Sequence, residues 1–92
     1  MASLVVKKDG SKEPFQAEKI ENAIRAAAQR TDLSEERTNE VVKQVSAGVL
    51  QLAAAKEEIA TSELREKVLG DLDKVEPSVS VAWREYEAKK GE

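Results

Sequence analysis

The feature that most constrains this chain is a run of helical apolar stripes packed into 92 residues with almost no spare length. Ile20, Ala23, Ile24 and Ala27 recur at i, i+3, i+4 and i+7, the spacing that lines one face of an α-helix. Val41, Val45, Val49 and Leu52 make a second stripe, with Val42 beside it. Leu64, Val68, Leu69 and Leu72 make a third, and Val79, Ala82, Trp83 and Tyr86 a fourth. Each stripe must be covered by another element. Connections this short favour helices that fold back on their neighbours in a compact bundle. A chain of this size supports one core, so a single domain over residues 1–92 is expected. Its helices are expected at about 17–29, 34–55, 61–73 and 77–90.

The boundaries have chemical signals. Ser34 suits an N-cap, with Glu35 and Glu36 favourably placed in the first turn. Thr61 is read as the cap of the third helix, and Pro77 suits the first position of the fourth. Lys89 and Lys90 complement the macrodipole at the end of that helix, and Gly91 and Glu92 are read as a tail. Gly48 sits inside the second helix at a cost of about 1 kcal/mol relative to Ala, and is read as permitting a close helix crossing. Before the helices, Leu4 to Lys7 reads as a strand, Asp9-Gly10 as a tight turn and Lys12 to Phe15 as the returning strand. This hairpin, residues 4–15, carries Pro14, which belongs on a sheet edge. A lone hairpin is marginal, and Ile59 can add a brief third strand beside it. The expected fold class is α+β and mainly helical, a four-helix bundle capped by an N-terminal β-hairpin plus a short third strand.

Several function classes drop out on composition. The chain has no Cys and no His. That removes thiolate chemistry, the commonest zinc ligands and the commonest general base. Gly10, Gly48 and Gly70 are isolated, so no Walker-type phosphate loop exists. We therefore expect no enzymatic activity and no metal ligands. Fifteen basic residues against 18 acidic ones give a net charge of −3. A dedicated nucleic-acid binder shows a basic excess, so no direct nucleic-acid partner is expected. No apolar run approaches a membrane span, and Lys7 and Lys8 interrupt the N-terminus too early for a signal peptide. No membrane partner and a cytoplasmic location are the resulting expectations.

One constellation stands out. Lys7 and Lys8 precede the hairpin turn, Glu13 and Gln16 follow it, and Lys19 and Ile20 lie in the first turn of helix one. Thr61 opens helix three and Arg65 lies one turn on. If the hairpin adjoins that helix start, Lys7, Lys8, Lys19 and Arg65 converge near two helix N-termini, which suits a polyanion such as a triphosphate. Taken alone, lysines beside a turn serve equally to keep a sheet edge soluble, and Thr61 serves equally as a plain cap.

The whole string says more. VVKKDGSKEPFQAEKI, from Val5 to Ile20, closely resembles the opening of the ATP-cone, the allosteric adenine-nucleotide domain of ribonucleotide reductases and their transcriptional repressors. EIATSELREKVL, from Glu58 to Leu69, resembles the family's second signature, and Val79, Trp83, Arg84 and Tyr86 are similar to its last helix. The resemblance implies a role for each matching position. Lys7, Lys8 and Lys19 match lysine or arginine positions that meet phosphates. Lys8 stands where Arg is common, which keeps the charge but loses the bidentate fork. Val5 and Ile20 match apolar positions that sandwich the base. Glu13 and Gln16 match polar positions near adenine, Gln16 being a longer arm than the usual Asn or Asp. Thr61 and Leu64 match binding positions at the start of helix three, and Arg65 stands where many members have His. Lys89, or Lys90 beside it, matches a lysine near the end of the last helix.

The implied ligand is ATP or dATP, with Mg²⁺ held mainly by phosphate oxygens. The implied partner is a ribonucleotide reductase subunit or related host, whose assembly or activity the nucleotide controls without being consumed; association between copies is one form such control takes. Neither a reductase barrel nor the repressors' four-Cys zinc ribbon is present in these 92 residues. Two other readings use the same residues. One is a small helical protein–protein interaction module without a nucleotide. The other is a helix-turn-helix regulator with Thr61 to Leu72 as recognition helix, which would turn Glu63, Glu66 and Asp71 toward DNA phosphates.

Overall fold

In a computed structural model, residues 4–90 are described, and the expected tail of Gly91 and Glu92 lies outside them. The order is β1 (Leu4–Val6), β2 (Lys12–Pro14), α1 (Ala17–Ala28), α2 (Glu35–Ala54), β3 (Glu58–Ala60), α3 (Thr61–Val75) and α4 (Pro77–Lys90). The fold is α+β, four helices with a small N-terminal sheet, as the sequence implies.

The hairpin turns where Asp9-Gly10 lets it. Gly10 has φ +88, a conformation that costs a residue with a Cβ. Gly10 N–H donates to the Lys7 carbonyl at 2.9 Å, and Lys7 N–H to the Ser11 carbonyl at 2.8 Å. Asp9 Oδ1 accepts from the Ser11 amide at 2.9 Å and from its hydroxyl at 2.6 Å, a side-chain brace that such turns favour. The strand order is β2-β1-β3. β2 pairs antiparallel with β1 and, carrying Pro14, forms an edge. β3 pairs parallel with β1, Val5 opposite Ile59 and Val6 opposite Ala60. A parallel pair needs a long crossover, which α1 and α2 supply.

The helices close a ring in which α1 packs on α2 and α4, and α3 packs on α2 and α4. Ile24, Val41, Val45, Val49, Val68, Leu72 and Val79 are buried at its centre. A smaller cluster of Ala53 and Ile59, flanked by Val5, Phe15, Leu52 and Leu64, fastens the sheet to the bundle. Burying an aliphatic side chain of this size stabilises by about 1.5–3 kcal/mol.

Ser34 caps α2, its hydroxyl accepting from Arg37 N–H at 3.1 Å. Thr61 is not the cap of α3. It is the first helical residue, and Ala60 holds the cap position with extended backbone, because Ala60 is still paired in β3. Alanine has no side-chain acceptor. The first turn is held instead by Glu63, whose carboxylate accepts from Ala60 N–H at 3.4 Å and pairs with Lys56. At the other end of α3, Arg37 donates to the Val75 carbonyl and to Glu76, both at 3.0 Å. Gly48 lies where α2 meets α3: a Cβ there would come within 2.6 Å of Asp71 Oδ2. Tyr86 departs from its stripe. It is half exposed. The Arg30 guanidinium stands 5.3 Å from its ring centroid.

Candidate nucleotide-binding groove

The parallel register of β1 and β3 builds the site. Val6 lies opposite Ala60, so the chain leaves β1 as Lys7 and Lys8 beside the point where it leaves β3 as Thr61 and Ser62. The first turn of α1 and the inner face of α4 close the other sides. The result is a groove of about 640 Å³, within the range of small-ligand sites. Lys7, Lys8, Lys19 and Arg65 reach it, and Val6, Ile20, Leu64, Val68 and Trp83 give it apolar walls.

Two of the four cations are already paired. Lys7 Nζ lies 2.7 Å from Glu13, a contact that raises the lysine pKa and holds the Glu13 carboxyl below its ordinary value. Arg65 grips Glu87 with two nitrogens, Nε to Oε2 at 2.8 Å and Nη2 to Oε1 at 2.9 Å. That bidentate bond raises Arg65 and lowers Glu87. Lys8 and Lys19 make no ion pair among the described residues. A flat ring can lie against the apolar wall while a chain of negative charge meets the lysines and the α3 start, where unpaired N–H groups favour anions.

Of the residues singled out in the sequence, Lys7, Lys8, Lys19, Ile20, Thr61, Leu64 and Arg65 line this groove. Val5 does not; it packs on the Ala53 and Ile59 cluster. Strand alternation puts adjacent residues on opposite faces, and Val6 is the one that lines the groove. Glu13 stands behind Lys7 rather than in the wall. Gln16 is the exposed N-cap of α1, without a side-chain cap bond. Lys89 is exposed and lines neither this groove nor its neighbour. Lys90 lines the neighbour, a groove of about 530 Å³ between α1 and α4 that shares Ala23, Trp83 and Glu87 with the first. The sequence reading missed Ala23, Val68 and Glu87 as wall residues. Each lies four residues beyond another wall residue, Lys19, Leu64 and Trp83 respectively, and so on the same helical face.

Fold and groove together define a small regulatory-type domain scaffold, a capped helical bundle with a basic, apolar-walled groove at the exit of its sheet. Over residues 3–92 the chain matches the ATP cone domain. It belongs to that family of nucleotide-sensing regulatory domains. Curated relatives include the transcriptional repressor NrdR of Chloroflexus aggregans, 36% identical over 75 residues, covering 78% of this chain and 42% of that protein. The repressor NrdR of Lactobacillus acidophilus is 36% identical over 69 residues, covering 75% and 43%. That of Caldicellulosiruptor bescii is 34% identical over 73 residues, covering 79% and 46%. The chain thus spans less than half the length of these relatives.

The relatives correct one expectation. A net charge of −3 points away from a direct nucleic-acid partner, yet the relatives are named transcriptional repressors. The charge of one segment carries no information about the surface of a larger protein or assembly that includes it, so the exclusion does not stand. No helix among the described residues is long and apolar enough to cross a membrane.

Proposed function

We propose that this domain binds ATP or dATP in the groove between the sheet exit and α4, and that occupancy sets the assembly or activity of a larger partner without consuming the nucleotide. The observation that carries the reading is the convergence of Lys7, Lys8, Lys19 and Arg65 on one apolar-walled groove. The base lies against Ile20 and Leu64, and the triphosphate meets the three lysines, Arg65 and the α3 start at Thr61. Mg²⁺ rides on the phosphate oxygens, since no cluster of three carboxylates stands among the described residues.

The partner is proposed as a ribonucleotide reductase or a repressor of the kind named among the relatives. For the domain to regulate, ATP and dATP must favour different states of that partner, because equal binding to both states shifts nothing. The test is isothermal titration of the chain with ATP, dATP, GTP and ADP. Saturable binding of the adenine triphosphates, well above that of GTP, is expected. No heat of binding with either adenine triphosphate at millimolar concentration overturns the reading and favours a helical interaction module.

A further inference from the structure

Arg65 is both a groove residue and an occupied one. Its guanidinium fork is filled by Glu87, which comes from the next helix and lines the same groove. The fork that fits a carboxylate bidentately fits a phosphate in the same way. Glu87 therefore holds the place of an anion. It also sets a negative charge beside the cations that an anionic ligand would use. Lys7 is also paired, but with Glu13, which stands outside the groove wall. Both Arg65 and Glu87 are partly exposed, so the pair is only weakly held and can be exchanged.

Resting on the nucleotide-binding reading, we infer that Glu87 is a built-in competitor for Arg65, and that a phosphate entering the groove displaces this carboxylate from the guanidinium. The consequence is a threshold for binding. Any phosphate that takes Arg65 must first break the pair, a cost common to one phosphate and three, and a triphosphate has Lys8 and Lys19 in addition to offset it. The exchange also has a structural output. Arg65–Glu87 ties α3 to α4, and Glu87 faces the adjoining groove as well. Releasing it loosens that tie and leaves the carboxylate free beside Trp83, which stands between the two grooves and is the chain's single tryptophan.

The test compares the parent with Glu87→Gln, Arg65→Gln and the double variant, titrated with ATP, AMP and inorganic tripolyphosphate. Binding is followed by calorimetry and by Trp83 emission. Glu87→Gln keeps the side chain's shape, removes the competing charge, and should tighten ATP by roughly threefold or more. AMP and tripolyphosphate should gain by a similar factor, because the cost of breaking the pair is common to every phosphate that takes Arg65. In the Arg65→Gln background the same substitution should gain much less, which separates competition for Arg65 from a general charge effect. Unliganded Glu87→Gln should show Trp83 emission shifted toward that of the liganded parent.

The outcomes are separable. If the parent binds ATP and Glu87→Gln binds it no more tightly, the competitor role falls and the nucleotide reading stands. If the parent binds tripolyphosphate but not ATP, and Glu87→Gln tightens tripolyphosphate, the adenine reading falls and the exchange stands. If the parent binds neither, both fall. An equal gain with and without Arg65 overturns the exchange.

Discussion

Lys7 and Lys19 come from different elements, a strand exit and a helix start, yet reach the same groove. If both meet one triphosphate, each supplies a charge-assisted hydrogen bond of order 1.5–3 kcal/mol. Lys7→Ala and Lys19→Ala should then each weaken ATP binding roughly tenfold to a hundredfold. Both side chains are exposed, so the urea midpoint without ligand should hardly move. Lys43→Ala, on an exposed face of α2, is the control and should change neither. Titration curves that coincide for all three variants and the parent would show that the groove is not the site. A second residue-scale expectation concerns Glu63. The Lys56 ammonium, and then the Ala60 amide, hold its carboxyl below the ordinary 4.5. A carboxylate whose folded pKa is depressed stabilises the fold fully above its unfolded value and loses that contribution as pH falls through the folded one. Glu63→Gln should therefore lower the urea midpoint at pH 7, and the gap to the parent should shrink below about pH 4.5. A gap that stays constant down to pH 2 would contradict this. At this scale the basic members of the groove were legible because Lys and Arg near a turn and a helix start stand out by type. Val6 and Glu87 were not. Choosing between Val5 and Val6 requires knowing which strand face is buried, and an acidic residue in an anion groove is invisible until its arginine is placed.

At the scale of elements, Arg37 is the residue that joins three of them. From the first turn of α2 it satisfies the last carbonyl of α3 at Val75 and pairs with Glu76 at the entrance to α4. A helix end leaves its last carbonyls without partners, so this one side chain supplies a C-terminal bond that the backbone lacks. Arg37→Met keeps much of the apolar stem and removes the donors. It should lower the urea midpoint modestly, the pair being partly exposed. ATP affinity should be unchanged, because the groove is at the opposite end of α3, roughly 20 Å away by helix rise. Chemical denaturation together with an ATP titration checks both halves, and a large loss of affinity would show that the two ends are coupled. The helices themselves were legible as four apolar stripes, and β3 was foreshadowed by Ile59, which the structure buries completely. The α3 cap was misread. Thr61 is a good cap by type, but pairing of Ala60 with Val6 carries the extended chain one residue further and moves the cap to a residue with no acceptor. Tyr86 has the spacing of its stripe but is half exposed, with Arg30 over its ring; spacing gives the face of a helix, not whether anything lies over it.

For the molecule as a whole, the parallel β1–β3 pair and the closed ring of helices make the groove a joint between distant parts of the chain, Lys7 to Ile20 on one side and Thr61 to Glu87 on the other. A ligand that touches both sides binds the folded state and not the unfolded one, so it stabilises the whole domain. At one hundred times its dissociation constant, ATP or dATP should add about 2.7 kcal/mol, a rise in melting temperature of roughly 10–20 °C for a domain of this size. GTP should add much less. If Lys7 turns to phosphate, Glu13 is released. It stands outside the groove wall and must swing inward to meet the base, where a carboxylate can accept from the 6-amino group of adenine but only repels the carbonyl oxygen of guanine. Equal shifts with ATP and GTP would reduce the site to a generic phosphate cradle. If the nucleotide is a regulator and not a substrate, stabilisation should also persist on prolonged incubation with Mg²⁺. Phosphate release by the purified chain that is lost in Lys19→Ala would show that the nucleotide is a substrate. A ligand left intact has one way to act, through the difference in its affinity for two states of a partner. The decisive comparison is therefore the same melting series run with ATP against dATP in the presence of that partner, where a regulatory domain must give two different curves.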